Sequence, residues 1–157
     1  MNDYSIEKYN DGFRTQILSV WEKSVLATHD FLSEYDFKAI KALVATINFN
    51  DFQVYCLTNQ SLVLGFIGVA GEKIEMLFLD PQYFGQGLGQ VLLRFGVNEL
   101  GANKLDVNEQ NLKALNFYQK FGFIPFDRTE KDEQGKDYPL LRMTCVPHPT
   151  VNGEYNT

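Results

Sequence analysis

The sequence predicts a mixed α/β (α+β) fold, a twisted sheet of about seven strands with helices on both faces. First, a chain of 157 residues, 45% of them hydrophobic, fits one domain with one core. Second, segments with strand and helix periodicity follow one another in the order β-α-α-β-β-β-α-β-α-β-β. Third, a helical segment separates the fourth and fifth strands, which indicates a parallel pair in an otherwise mainly antiparallel sheet.

The N-terminal part of the chain predicts one strand and two helices. Residues 3–9 alternate weakly, as an opening strand would, and apolar residues at helical spacing predict a helix over 10–25. In the second helix, Ser33 and Asp36 resemble a capping pair ahead of an apolar stripe that reaches Ile47.

Short polar turns divide the rest of the chain. The β-rich segments 52–57, 61–70 and 73–80, with turns at 58–60 and 71–72, predict an antiparallel meander. The later predicted elements are a helix that opens at 85–89 and stops at Gly101, a strand at 103–108, a helix that stops at Gly122, and strands at 123–129 and 138–146. We therefore expect a single domain over 1–146 and a flexible tail over 147–157.

Composition restricts the possible functions. The net charge is −6 and no basic run occurs, which argues against nucleic-acid binding. No apolar run has the roughly 18–20 residues of a membrane span, and the N-terminus lacks signal-peptide features, so a cytoplasmic protein without membrane contact is expected. Cys56 and Cys145 lie in apolar runs as small core residues, and His29 and His148 stand apart from other metal-ligating residues, so no metal site is expected.

The segment Gly85-Gln86-Gly87-Leu88-Gly89 lies between a strand and a helix. This arrangement is typical of anion sites, because unpaired N–H groups and the positive end of the helix dipole meet there. A dinucleotide fingerprint would need glycine at Gln90, and a Walker A loop would need a Lys-Ser/Thr pair there, so both alternatives are weak.

Two motifs carry a family resemblance. The pattern LFLDPQYFGQGLGQVLL resembles the acetyl-CoA loop of the GNAT (Gcn5-related N-acetyltransferase) superfamily, with Phe84 where that family usually has Gln or Arg. The segment VNEQNLKALNFYQKFGF (107–123) resembles its second signature. The segments 21–32, 107–111 and 132–141 are similar to those of the bacterial YjaB-type branch of this superfamily. The resemblance extends from about Tyr4 to Val146.

The resemblance implies an acetyl-CoA site at a splay between the fourth and fifth strands. The pyrophosphate would lie on the backbone of 85–89, and the pantetheine arm would pair with the backbone of the fourth strand. The implied cofactor-binding residues are Met76, Leu77, Leu79, Phe84, Gly85, Gln86, Gly87, Leu88, Gly89, Asn108, Asn111 and Tyr118. Asn111 could instead serve only as an N-cap.

The implied reaction moves an acetyl group to a primary amine of a small molecule or peptide by direct attack on the thioester. Tyr118 is the candidate general acid for the coenzyme A thiolate; the alternative is a tyrosine of the core stripe. Glu75 is the candidate base, unless a water chain takes the proton. The candidate residues of the acceptor pocket are Trp21, Ser24, His29, Tyr35 and Tyr138.

Some alternatives stay open. His29 could relay a proton or could simply bond to the backbone at a helix end. The chain could be a non-catalytic coenzyme A sensor or partner-binding module, or a nucleotide enzyme that shares the glycine turn. Either a monomer or a homodimer is compatible with the sequence.

Overall fold

A computed structural model describes residues 3–146, which form one sheet and four α-helices. The strands are β1 (Ser5–Lys8), β2 (Gln53–Asn59), β3 (Leu62–Ala70), β4 (Lys73–Leu79), β5 (Lys104–Asn108), β6 (Ile124–Thr129) and β7 (Leu140–Thr144). The helices are α1 (Arg14–Thr28), α2 (Glu34–Val44), α3 (Leu88–Asn98) and α4 (Leu112–Phe121). The predicted tail 147–157, with His148, lies outside the described residues.

The strand order in the sheet is β1-β2-β3-β4-β5-β7-β6, and only the β4–β5 pair is parallel among these neighbours. The helices α1 and α2 bury one cluster of apolar side chains on one face of the sheet, and α3 and α4 cover a second cluster on the other. The predicted fold class is therefore confirmed.

The two cysteines are free and buried, as predicted for core residues. Cys56 belongs to the cluster under α1 and α2, and Cys145 to the cluster under α3 and α4. Burial raises the pKa of both thiols, that of Cys56 to about 12, so both stay protonated and unreactive at neutral pH.

The strands β4 and β5 pair only at their beginnings. Their register consists of Lys73 with Lys104 and Ile74 with Leu105. A bulge then follows in β4, because Met76 and Ile74 face adjacent residues of β3 and leave Glu75 between them without a partner. Beyond the bulge β4 stays with β3 and β5 stays with β7, so a gap opens between them. The predicted splay is confirmed.

One predicted turn is displaced. The turn expected at 58–60 lies at Gln60-Ser61, since β2 continues to Asn59, which pairs with Leu62. Gln60 and Ser61 have φ values of 48° and 73°, as the two-residue hairpin turn that matches strand twist requires. Neither residue type favours positive φ, so the sequence indicated a turn in this segment but not its exact position.

Candidate active site

A cavity of about 600 Å³ lies at the gap between β4 and β5, bounded by the end of α1, the glycine loop and α4. Eleven of the site residues predicted from the sequence line this cavity: Ser24, His29, Leu77, Leu79, Phe84, Gly85, Gly87, Leu88, Gly89, Asn111 and Tyr118. It is also lined by residues that the sequence did not single out as site residues: Thr28, Phe78, Gln90, Lys113, Ala114, Phe117, Lys120 and Phe121. The cavity thus brings together residues from both family motifs.

The glycine loop leaves its amides free. Gly85 and Gly87 both have φ of +78°, a conformation that favours glycine, and a Cβ built on either would meet no atom within 4 Å. The helix α3 begins at Leu88, and the amide of Val91 is the first to bond back, to the Gly87 carbonyl at 3.2 Å. The N–H groups just before it therefore lack intrahelical partners, and no side chain at Gly85 or Gly87 blocks the approach of an anion, which fits a diphosphate.

A short helical turn positions this loop. Asp80 directly follows β4. Its amide donates a hydrogen bond to the Leu64 carbonyl at 2.8 Å, and its carboxylate accepts one from the Gln82 amide at 3.0 Å. Pro81 fixes the first position of the turn Pro81–Tyr83. Phe84 follows this turn, and its side chain is 42% exposed. Because this side chain is apolar, it cannot make the polar contact with phosphate that Gln or Arg makes at this position of the family motif.

The two motif asparagines have different placements. The side chain of Asn111 is buried, and it accepts the Ala114 amide at 3.3 Å as the N-cap of α4. Asn111 also lines the cavity, whereas Asn108 does not and instead accepts the Gln110 amide at 3.0 Å in the preceding turn. The capping function of Asn111 is confirmed, and its contact with pantetheine stays a prediction.

The Tyr118 ring is fixed and its hydroxyl is available. The ring packs edge-on against Phe117, 5.2 Å between centroids, and against Phe123 at 6.0 Å. Within residues 3–146 the hydroxyl has no hydrogen-bond partner, and the side chain lines the cavity. Burial raises the pKa of Tyr118, so the phenol keeps its proton and can donate it.

Glu75 lies outside the large cavity. Its carboxylate is 3.4 Å from the Lys73 ammonium, which also pairs with Asp106 at 3.0 Å and Glu133 at 3.4 Å. Burial lowers the pKa of Lys73, but these carboxylates outweigh burial and raise it overall. The bulge explains this placement, because the extra residue of β4 turns its side chain toward Lys73. The function of Glu75 as base stays a prediction that its position does not support.

Three of the five predicted acceptor residues do not line the cavity. Trp21 is 4% exposed and stacks on Phe37 at 5.8 Å, because its large apolar ring fills the core beneath α2. Tyr35 is 76% exposed, with the Lys136 ammonium over its ring. Tyr138 makes hydrogen bonds to α2 instead of lining the cavity wall. Two of the residues predicted to bind the cofactor, Met76 in β4 and Gln86 in the loop, are likewise absent from the lining.

Ser24 and His29 do lie where an acceptor pocket is expected. Both are on the last turn of α1 or just after it, and both line the cavity. The Thr28 hydroxyl donates to the Ser24 carbonyl at 2.7 Å and lies 2.7 Å from Nδ1 of His29. Burial lowers the pKa of His29, so its imidazole is mainly neutral at physiological pH.

Residues 3–146 contain no group of three or more His, Cys, Asp or Glu side chains placed to hold a metal ion. None of their helices is long and apolar enough to cross a membrane.

Residues 21–146 match the family model described as an acetyltransferase (GNAT) domain. The chain belongs to the GNAT acetyltransferase family. It is 37% identical to the peptidyl-lysine N-acetyltransferase YjaB of Salmonella typhimurium over 128 residues, which are 82% of this chain and 88% of that protein. As a GNAT enzyme it is an acetyl-CoA-dependent acyltransferase, and the resemblance found in the sequence is confirmed.

Solved structures agree with this assignment. The apo-form of YjaB from Escherichia coli, in solution, is 34% identical with a TM-score of 0.83, covering 91% of this chain and 97% of that one. The PaiA N-acetyltransferase of Thermoplasma acidophilum in complex with coenzyme A has a TM-score of 0.67 at 19% identity, covering 92% and 99%. The second likeness shows the shared GNAT fold alone.

Proposed function

We propose that this GNAT enzyme transfers an acetyl group from acetyl-CoA to a lysine side-chain amine of a peptide or protein. The observation that carries the proposal is the cavity in which the open glycine loop and the unpaired Tyr118 hydroxyl meet. The peptidyl-lysine substrate follows from the names of the relatives, which are 37% and 34% identical. A primary amine of a small molecule is the broader alternative.

The chain supplies a binding surface for each part of the acyl donor. The free amides from Gly85 onward would bind the pyrophosphate, and Lys113 and Lys120 add positive charge to the same cavity. Beyond the bulge, β4 has no partner on its β5 side among residues 3–146, so alternate backbone groups near Leu77 and Leu79 are free to bond the pantetheine amides. Acetyl-CoA bound there supplies an activated thioester to the amine.

Tyr118 is the group that would complete the transfer. When the carbon–sulfur bond breaks, charge develops on sulfur, and a phenol within reach can neutralise it by donating its proton. The raised pKa and the lack of an acceptor for this hydroxyl among residues 3–146 both favour this use, because the proton is present and is free to be donated. A backbone N–H of β4 would polarise the thioester carbonyl.

Turnover of a lysine peptide by Tyr118→Phe tests this proposal. We expect kcat to fall on the order of 10²-fold while acetyl-CoA binding is kept, since phenylalanine preserves the ring contacts. Tyr55→Phe is a matched control, because that ring packs on Phe95 away from the cavity. An unchanged rate in Tyr118→Phe would exclude the acid function, and no turnover by the wild type on any amine would exclude the proposed activity.

Two observations favour a second candidate, a coenzyme A sensor. The exposed Phe84 stands where a polar or charged phosphate contact is usual, and Glu75 lies away from the cavity. Both could reflect a site that binds without turnover. Tight acetyl-CoA binding without thiol release across a panel of amines would favour the sensor.

A further inference from the structure

We propose that His29, held in a single tautomer by Thr28, is the general base that deprotonates the acceptor amine. The inference rests on the function proposed above and assigns the group that function still lacks. Three features of the structure carry it: a hydrogen-bond chain at the end of α1, the position of the ring in the cavity, and the charges around it.

The hydrogen-bond chain fixes which imidazole nitrogen carries hydrogen. The Thr28 hydroxyl has one hydrogen, and it is donated to the backbone carbonyl of Ser24 at 2.7 Å. Toward His29 Nδ1, also at 2.7 Å, the same oxygen can therefore only accept. Nδ1 must carry the hydrogen, which leaves the lone pair of the neutral ring on Nε2.

The ring is held in position from two sides. The His29 amide donates to the Val25 carbonyl at 2.8 Å, which fixes the backbone as the cap of α1. The ring packs on Phe31 with 5.2 Å between centroids. It lines the cavity that also contains Leu77, Phe78 and Tyr118, so it shares one space with the thioester site.

The surroundings favour a neutral ring before proton transfer. Burial is the main cause of the lowered pKa of His29, and Asp30 opposes it only in part. The other titratable groups of the same cavity are the α4 residues Lys113, Tyr118 and Lys120. From the α2 side, Asp36 is already hydrogen-bonded to Tyr138 and pairs with Lys136. The negative end of the α1 dipole would stabilise the imidazolium once it forms.

With His29 as the base, every proton of the reaction is accounted for. The acceptor arrives as an ammonium, and Nε2 of His29 takes one proton to give the free amine. The amine nitrogen bonds to the acetyl carbon, the carbon–sulfur bond breaks, and Tyr118 protonates the departing sulfur. The second proton lost by nitrogen restores the phenol, and His29 releases its proton to solvent. Each amide formed therefore releases one proton.

Variants at these two positions test the inference with a saturating lysine peptide. We expect His29→Gln to lower kcat on the order of 10²-fold with the acetyl-CoA Kd unchanged, because glutamine cannot accept the proton. Added imidazole should restore turnover to His29→Ala, which a purely structural loss would not allow. Thr28→Val should lower kcat and Thr28→Ser should recover it, because serine keeps the hydroxyl that orients the ring.

A ¹⁵N NMR spectrum of the wild-type imidazole gives a reading that does not depend on turnover. Hydrogen on Nδ1 and a free lone pair on Nε2 are expected; hydrogen on Nε2 would overturn the inference. So would full kcat in His29→Gln, or a loss confined to Glu75→Gln. If the wild type itself transfers no acetyl group, the proposed function fails; if it does and His29→Gln is equally active, only this inference fails.

Discussion

The Tyr138 hydroxyl donates a hydrogen bond to the Asp36 carboxylate at 2.5 Å. It also accepts the Ser33 amide at 3.4 Å, and its ring lies 6.0 Å from that of Phe31. These contacts join the beginning of α2 to the segment before β7, two parts of the chain far apart in sequence. They hold the connection between α1 and α2, which lies next to the acceptor side of the cavity.

We expect Tyr138→Phe to raise the KM for a lysine peptide roughly fivefold, because a net hydrogen bond contributes about 1 kcal/mol to order in this connection. The Kd for acetyl-CoA should stay unchanged, since the glycine loop lies elsewhere. Steady-state kinetics and calorimetry measure the two constants. Asp36→Asn, whose amide oxygen still accepts, should have a smaller effect; equal changes in both constants would contradict this assignment.

The same contact should be visible in the titration of Asp36. The hydrogen bond from Tyr138 is the main cause of its lowered pKa, and Lys136 adds to it. The stabilisation of the folded state by the Asp36 carboxylate is therefore complete above the ordinary carboxyl pKa, and it is lost as the pH falls through the lowered pKa of Asp36. Carboxyl NMR should show the pKa of Asp36 rising toward its ordinary value in Tyr138→Phe. An unmoved titration would mean that the hydrogen bond is absent in solution.

The raised pKa of Tyr118 predicts the alkaline side of the pH profile. The proposed acid works only while protonated, so kcat should hold until pH exceeds the ordinary tyrosine pKa of 10.0 and fall only above it. Stopped-flow thiol release with saturating substrates would give the profile. An alkaline fall below that value, absent in Tyr118→Phe, would show that burial does not protect the proton.

Gly87→Glu should abolish the rise in melting temperature that acetyl-CoA causes. The substitution places bulk and negative charge where the pyrophosphate is expected, and a ligand that binds only the folded state raises its Tm. Gly101→Glu is the matched control at the other end of α3, with φ of +72° and open space around it. Both variants share the backbone strain, so a retained Tm shift in Gly87→Glu would contradict the phosphate site.

Phe84→Arg should strengthen cofactor binding about tenfold, because a charge-assisted hydrogen bond to phosphate contributes about 1.5–3 kcal/mol. The position tolerates change, since the side chain is 42% exposed. Phe84→Leu serves as control and should leave the Kd unchanged. The gain should shrink with added salt, and no gain at low salt would place the pyrophosphate elsewhere.

The sequence predicted the parts of the fold that depend on local patterns. Strand and helix order followed from periodicity, and the Ser33 cap is present, with its hydroxyl accepting the Asp36 amide at 3.1 Å. The turn predicted at 58–60 was displaced to Gln60-Ser61, because tertiary pairing of β2 with β3 forces positive φ on residues that do not favour it.

Most of the predicted residues that line the cavity belong to the two motifs, and Ser24 and His29 at the end of α1 are the others. The glycine loop and Tyr118 lie in the cavity, as the motifs implied. Trp21 and Glu75 lie outside the cavity, because the Trp21 ring is packed in the core and the bulge in β4 turns Glu75 toward Lys73. Thr28 was missed, since its importance lies in a bond to the neighbouring ring that spacing alone does not reveal.

Glu75, the unpartnered residue at the bulge in β4, affects the stability of the sheet. Without Glu75 the two parallel strands would be free to continue their ladder past Ile74, and the sheet would gain main-chain bonds along its middle. The sheet thus gives up main-chain hydrogen bonds at its centre, and the proposed cofactor, with its amide groups, would recover part of that loss on binding.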